Sequence, residues 1–209
     1  VIDYNNIFSL NRIASNETVE GGQSITIGNE FKTVDKSDNE IFSLNLGAMF
    51  RDEENPDLPT KSTLNRKTSN IVGEILFKSK QVFDLKYNFS LDNDLQTLNY
   101  NLLDATFSIN NFVTSFEFLE KNSIIGDESY IANETTINLN DNNSLSFKTR
   151  RNKQLNLDEY YNLIYEYKND CLKAAVEYKK NYYEDRDLKP EEQIFFSLTI
   201  IPFGTLDSP

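Results

Sequence analysis

The sequence contains no histidine and no tryptophan, one cysteine (Cys171) and one methionine (Met49). Without imidazole, Ser-His-Asp and Cys-His nucleophile systems and His-ligated metal sites are excluded within this chain. A single thiol closes neither an internal disulfide nor a thiolate zinc site, so any bridge from Cys171 must reach a partner outside these 209 residues. Cations are also short: 21 Lys and Arg against 33 Asp and Glu leave a formal charge of -12. That balance argues against a nucleic-acid partner, which needs clustered Lys and Arg. No apolar run approaches the roughly 18–20 residues of a membrane helix, which excludes a helical membrane protein. A membrane barrel stays open, because its strands alternate apolar and polar residues and keep mean hydropathy low. With 7 Gly and 5 Pro, turns must rest on Asn and Asp, which tolerate left-handed backbone. The sequence begins Val-Ile-Asp with no signal peptide ahead of it, and is expected to be a piece of a longer protein.

Aromatic residues are abundant, with 15 Phe and 11 Tyr, which excludes a solvated disordered tail. Period-two alternation runs through the whole chain, the pattern of strands with two unlike faces. From Val82 to Leu91, Phe83, Leu85, Tyr87, Phe89 and Leu91 oppose Asp84, Lys86, Asn88 and Ser90. Phe42, Leu44, Leu46, Ala48 and Phe50 likewise oppose Ser43, Asn45 and Gly47. Leu172, Ala174, Val176, Tyr178, Lys180 and Tyr182 oppose Cys171, Lys173, Ala175, Glu177, Lys179 and Asn181. Ile194, Phe196, Leu198 and Ile200 alternate with Gln193, Phe195, Ser197 and Thr199. About eleven strands are predicted, several near the roughly 9–11 residues that cross a bilayer at a tilt.

Connections sort by length. Tight turns at Asp35–Asn39, Ser79–Gln81, Asn110-Asn111, Asp141–Asn143 and Asn169-Asp170 alternate with mostly longer loops at Asp52–Ser69, Asp92–Asp94, Lys121–Ser129, Lys153–Asp158 and Tyr183–Glu192. The short Asp92–Asp94 connection breaks the rule, and the Thr97–Ile109 strand changes phase near Leu102-Leu103, as a bulge would make it. Such asymmetry marks outer-membrane barrels, with short periplasmic turns and long outer loops. A soluble β-sandwich also alternates and remains the second architecture. No fixed-period repeat supports a propeller or solenoid. The acidic stretches Asp52-Glu53-Glu54 and Glu184-Asp185 with Asp187 lack the spacing and Gly of a calcium loop and read as solvated surface. No pair of carboxylates is singled out for acid–base work, so no enzyme, metal or cofactor is expected.

Two stretches resemble the lipopolysaccharide-assembly outer-membrane protein family (LptD), in its C-terminal barrel region. The first is Asn6-Ile7-Phe8-Ser9-Leu10-Asn11-Arg12, then Thr18-Val19-Glu20-Gly21-Gly22, then Phe42 to Arg51. The second is Tyr165 to Leu172, then Val176-Glu177-Tyr178, then Ile194 to Thr199. The sequence departs from the family where Cys171 is followed by Leu172 rather than a second Cys, and where Ala14-Ser15-Asn16-Glu17 replaces a glycine and an Asp-Arg pair.

The resemblance implies an all-β, antiparallel, up-and-down transmembrane barrel, of which residues 1–209 are the C-terminal part, without the periplasmic domain and earlier strands. It implies residence in the bacterial outer membrane and insertion of lipopolysaccharide into the outer leaflet, the lipid leaving by the lumen and a lateral seam. The implied partners are lipopolysaccharide, a plug lipoprotein, a periplasmic lipopolysaccharide bridge protein and the barrel-assembly machinery, with no nucleic acid and no cofactor. Parity makes Asp84, Lys86, Asn88, Lys148, Arg150, Glu166, Lys168, Lys173, Glu177 and Lys179 lumen-facing. The family implies that Cys171 pairs with the N-terminal periplasmic domain; a free or buried Cys is the other reading. Ile194, Phe196, Leu198, Ile200, Pro202 and Phe203 would mark the terminal strand at the seam, where Pro202 cannot donate a ladder hydrogen bond. Two other classes stay in play: a porin or receptor barrel of another family, and a soluble extracellular glycan-binding β-domain. Ion conductance would mark the former, and stable folding in water without detergent the latter.

Overall fold

Strict alternation is satisfied by extended backbone, in which successive side chains leave opposite faces. The described residues of the computed structural model of the protein are accordingly built of strands, with one 3-10 turn at Thr60–Ser62. It describes residues 2–12, 20–79, 82–122, 126–182 and 190–200, and the backbone of 204–207. The strands are β1 (Ser24–Val34), β2 (Glu40–Arg51), β3 (Ile71–Ser79), β4 (Phe83–Leu91), β5 (Leu98–Ile109), β6 (Phe112–Asn122), β7 (Asp127–Asn140), β8 (Asn143–Asn152), β9 (Leu157–Lys168), β10 (Leu172–Asn181), β11 (Glu191–Ile200) and β12 (Gly204–Asp207). They form one antiparallel sheet in strict sequence order. The order never returns to β1, so these strands are an open run of an up-and-down meander. No helix among the described residues is long and apolar enough to cross a membrane.

The connections are less asymmetric than the sequence implies, because strand pairing takes up the end of the expected Lys153–Asp158 loop and leaves only Lys153–Asn156. Ends at Asp35–Asn39, Asn110-Asn111, Asp141-Asn142 and Asn169–Cys171 alternate with links of mixed length, from the long Asp52–Asn70 to Lys153–Asn156, which is shorter than Asp35–Asn39. The expected exception is milder than it looked, because the link between β4 and β5 extends from Asp92 to Thr97. Asn and Asp build the turns by bonding their own backbone. Asp35 Oδ1 accepts from the N–H of Ser37 (2.8 Å) and Asn39 (3.0 Å), and Asn169 Oδ1 from Cys171 (3.0 Å) and Leu172 (2.8 Å). Asp38, Asn110 and Asn156 take positive φ, joined by Thr63 and Leu95, which composition did not single out. Register shifts fall between Thr33 and Val34, Asn138 and Asn140, and Arg150 and Arg151. The third leaves Glu159 as the extra residue of β9, since Arg150 faces Tyr160 and Arg151 faces Asp158.

The chain divides into two compact units, Val1–Ala105 with Phe118–Ser129, and Thr106–Glu117 with Tyr130–Pro209. In the first unit, Ile2, Ile7, Met49, Leu58, Leu64 and Val72 form a buried apolar cluster, with Tyr4 packed against it. Met49 and Val72 belong to the same sheet face as Ser43, Asn45, Glu74, Asn88 and Ser90. The segment before β1 and the Asp52–Asn70 loop are therefore folded onto the polar face of that unit. One further difference concerns the end of the sheet. β11 is not the last strand, because Gly204–Asp207 pair with Ser197–Ile200 as β12.

Candidate functional site

Burial in the first unit is inverted relative to a soluble protein. Along β2, Ser43, Asn45, Met49 and Arg51 are buried, while Phe42, Leu44, Leu46 and Phe50 on the other face are more open. The apolar face of β1 is open too, with Ile25, Ile27 and Phe31 all exposed. Soluble domains bury the apolar face of a sheet, because removing apolar area from water stabilises the fold by about 25 cal/mol per Å². A sheet that hides Ser, Asn and Arg and shows Phe and Ile matches an apolar solvent outside.

On the polar side, Asn45, Glu74 and Asn88 stand side by side across β2, β3 and β4. Asn45 Nδ2 donates to Glu74 Oε1 at 3.5 Å, and Lys86 Nζ meets Glu74 Oε2 at 3.1 Å. Asn70 Nδ2 donates to Ser90 Oγ at 2.9 Å, tying the long loop to β4. Asp84, Lys86 and Asn88 thus share one face, as parity requires, and Lys78 lies opposite Asp84.

A buried ion triad closes the loop end of this face. Arg12 and Arg51 both bind Glu20 Oε1, Arg51 Nη2 at 2.8 Å. Their side chains are 8%, 2% and 4% exposed in the order Arg12, Arg51, Glu20. Arg12 also donates to the Ile7 carbonyl (2.6 Å) and Thr26 Oγ1 (2.7 Å), and Arg51 to the Gly21 carbonyl (2.5 Å). Below the segment, Gly28 and Gly47 are directly paired. A Cβ at Gly28 would lie 2.4 Å from Phe8 Cζ, and one at Gly47 3.2 Å from it, so two glycines make room for that ring. On the opposite face, Phe89 lies over its partner Gly73, filling the space a missing side chain leaves.

In the second unit the same division of faces recurs. Ile131, Phe147, Leu163, Tyr165, Val176, Tyr178, Ile194 and Phe196 are exposed on one face. The other face carries every sequence-expected lumenal residue of β8 to β10. Lys148 pairs with Glu134 (2.9 Å), Arg150 with Glu159 (2.7 Å) while lying 3.7 Å over the Tyr130 ring, and Lys173 with Glu166 (2.9 Å). Glu177 accepts from Asn162 Nδ2 at 3.0 Å. Lys168 stands opposite Lys173, and Lys179 opposite Asn162. Cys171 is free and exposed in the Asn169–Cys171 turn. Ile194, Phe196, Leu198 and Ile200 lie on the apolar face of β11; Pro202 and Phe203 lie outside the described residues. Among the described residues no group of three His, Cys, Asp or Glu is placed to hold a metal ion.

Sheet order, strand lengths and the inverted burial of β2 are consistent with part of a barrel wall, though the sheet is not closed; kinship says which. The family described as LptD, LPS transport system D, matches residues 1–125, more than half of the 209. The chain belongs to the LptD family. Its match includes the first stretch of resemblance, Asn6 to Arg51, and ends before Tyr165, so the second stretch rests on its own residues. LptD is a transport family, which ties the chain to lipopolysaccharide transport and assembly at the outer membrane. A search of curated proteins returns no match to this chain.

The stretch Asn6–Arg51 that resembles LptD contains the residues that alternation could not single out as a site. Arg12 and Glu20 come from the segment before β1 and Arg51 from the end of β2, where no period operates. Their one sequence signal is that Arg12 and Glu20-Gly21-Gly22 fall within the quoted family pattern. Gly28 and Gly47, in strands otherwise poor in glycine, mark a close approach in the way an isolated strand glycine does.

Proposed function

We propose that this LptD-family chain is a section of the wall of an outer-membrane translocon that inserts lipopolysaccharide into the outer leaflet, and that residues 1–209 are the C-terminal part of one barrel domain. The inverted burial of β2, whose polar face is buried and whose apolar face is the more open, carries the reading. Sugars and phosphates require a hydrated polar route, acyl chains an apolar one, and a wall with unlike faces supplies both. The polar faces, with Asp84, Lys86, Asn88, Lys148, Arg150, Glu166, Lys168, Lys173, Glu177 and Lys179, line the lumen, where ion pairs across strands brace the wall. The exposed row Ile194, Phe196, Leu198 and Ile200 faces lipid toward the seam by which the molecule leaves sideways. Lipopolysaccharide arrives from a periplasmic bridge protein, a plug lipoprotein fills the barrel, and the barrel-assembly machinery inserts it. The tight-turn end is periplasmic, which places exposed Cys171 where an oxidised bridge to the N-terminal domain can form. Depletion of the parent protein tests the reading: newly made lipopolysaccharide should accumulate at the inner membrane or in the periplasm. Unchanged surface lipopolysaccharide contradicts it.

A further inference from the structure

Lys168 and Lys173 occupy directly opposed positions on β9 and β10, on the polar face, beside the Asn169–Cys171 turn. Directly opposed residues share a face with Cβ atoms about 4.5–5.5 Å apart, and like charges so placed destabilise the pairing. The arrangement occurs in a chain of charge -12, where a carboxylate would be the more frequent neighbour. One carboxylate meets the pair: Glu166 Oε2 lies 2.9 Å from Lys173 Nζ. Lys168 has no ion-pair partner among the described residues, so the group keeps one positive charge in excess.

The surroundings are small and hydroxylic. Thr199 of β11 lies opposite Lys173, extending the row to Lys168, Lys173 and Thr199. The next row runs Ser144, Glu166, Ala175 and Ser197 across β8 to β11. Two ammonium groups beside short hydroxyl side chains, with Ala175 leaving space above the sheet, suit a tetrahedral dianion better than a carboxylate. Phosphate monoesters carry about -1.5 to -2 charge at neutral pH and offer three acceptor oxygens.

We propose that Lys168 and Lys173, assisted by Thr199, form a seat for a phosphate monoester on the head group of the transported lipid, at the tight-turn end of the polar face. This rests on the translocon reading above and names the part of the substrate that the wall recognises. Glu166 holds one ammonium in place and limits the affinity, so that a phosphate is passed on rather than kept.

The test uses the full-length parent protein in detergent, with bisphosphorylated and dephosphorylated lipid A as probes. Lys168→Gln and Lys173→Gln should each weaken binding of the bisphosphorylated form about fivefold, the scale of a partly exposed charge pair. Binding of the dephosphorylated form should not change, and Lys168→Arg with Lys173→Arg should restore affinity. The difference should shrink at high salt, as exposed electrostatics do. Equal loss for both lipids, or no loss for either, overturns the proposal, as does failure of the arginine variants to restore binding. Inorganic phosphate at millimolar concentration should leave the lipid bound; displacement assigns the seat to free phosphate and overturns the head-group assignment. A parent that binds neither lipid refutes the translocon reading itself, whereas one that binds both equally refutes only the phosphate seat.

Discussion

Glu20 is the shared counter-ion of two buried arginines, so the triad keeps one net positive charge. At an effective dielectric of about 20, unit charges 2.8 Å apart attract by about 6 kcal/mol. Burial of all three groups offsets much of that attraction, since each ion leaves water at a cost of several kcal/mol. The net value of the triad is therefore small, while the cost of breaking it is large. Glu20→Gln keeps the shape and removes the charge, leaving the Arg12 and Arg51 guanidiniums buried without a counter-ion. The expected destabilisation is about 3–5 kcal/mol. The triple variant Arg12→Met, Glu20→Leu, Arg51→Met replaces all three charges by apolar groups and should fall within about 1–2 kcal/mol of the native chain. Both are read from urea midpoints of the detergent-folded parent, alongside protease cutting within residues 2–12, which the single variant should accelerate. An unchanged midpoint for Glu20→Gln, or a triple variant as unstable as the single, refutes the reasoning.

Two further outcomes follow from the same geometry. Gly28→Val should push Phe8 off the sheet and break its edge contact with Tyr4, now at 5.4 Å between ring centroids, at a cost of about 1–3 kcal/mol. Phe8→Ala in the same chain should remove most of that cost, and a double-mutant cycle with no coupling would sink the glycine argument. Cys171→Ser should abolish a redox-sensitive gel shift of the parent, and a parent that shows no shift under non-reducing conditions rules out the bridge to the periplasmic domain.

The sheet was largely legible in the sequence, because a half-covered strand imposes a period on each residue. Phe83 to Leu91 gave β4 its extent and both faces, and the same parity placed Lys148, Arg150, Glu166, Lys173 and Glu177 together on the polar side. Asn169 and Asp35 announced turns, since their side chains bond the backbone locally. What escaped is whatever alternation does not encode. Arg12 and Glu20 precede β1 and meet Arg51 at the end of β2, and their contact depends on how the segment before β1 folds back over Gly28 and Gly47. The length of the Asp92–Thr97 link was misjudged because Leu95 takes positive φ, a conformation that Asn, Asp or Gly signals and leucine does not. β12 is too short to show a period, so alternation makes the strand of Ile194 to Ile200 the terminal one.

Neighbouring positions on β9 decide most directly which face of the sheet meets lipid. Asn162 lies on the polar face opposite Lys148, and Leu163 on the apolar face opposite Phe147. Tryptophan is absent from this chain, so Asn162→Trp and Leu163→Trp in the parent, each compared with the unsubstituted protein, add one reporter apiece. In vesicles of brominated phospholipid, the added fluorescence at Leu163→Trp should be strongly quenched and that at Asn162→Trp spared. Equal quenching at both positions, or quenching at Asn162→Trp alone, contradicts the assignment of faces and with it the lumenal route.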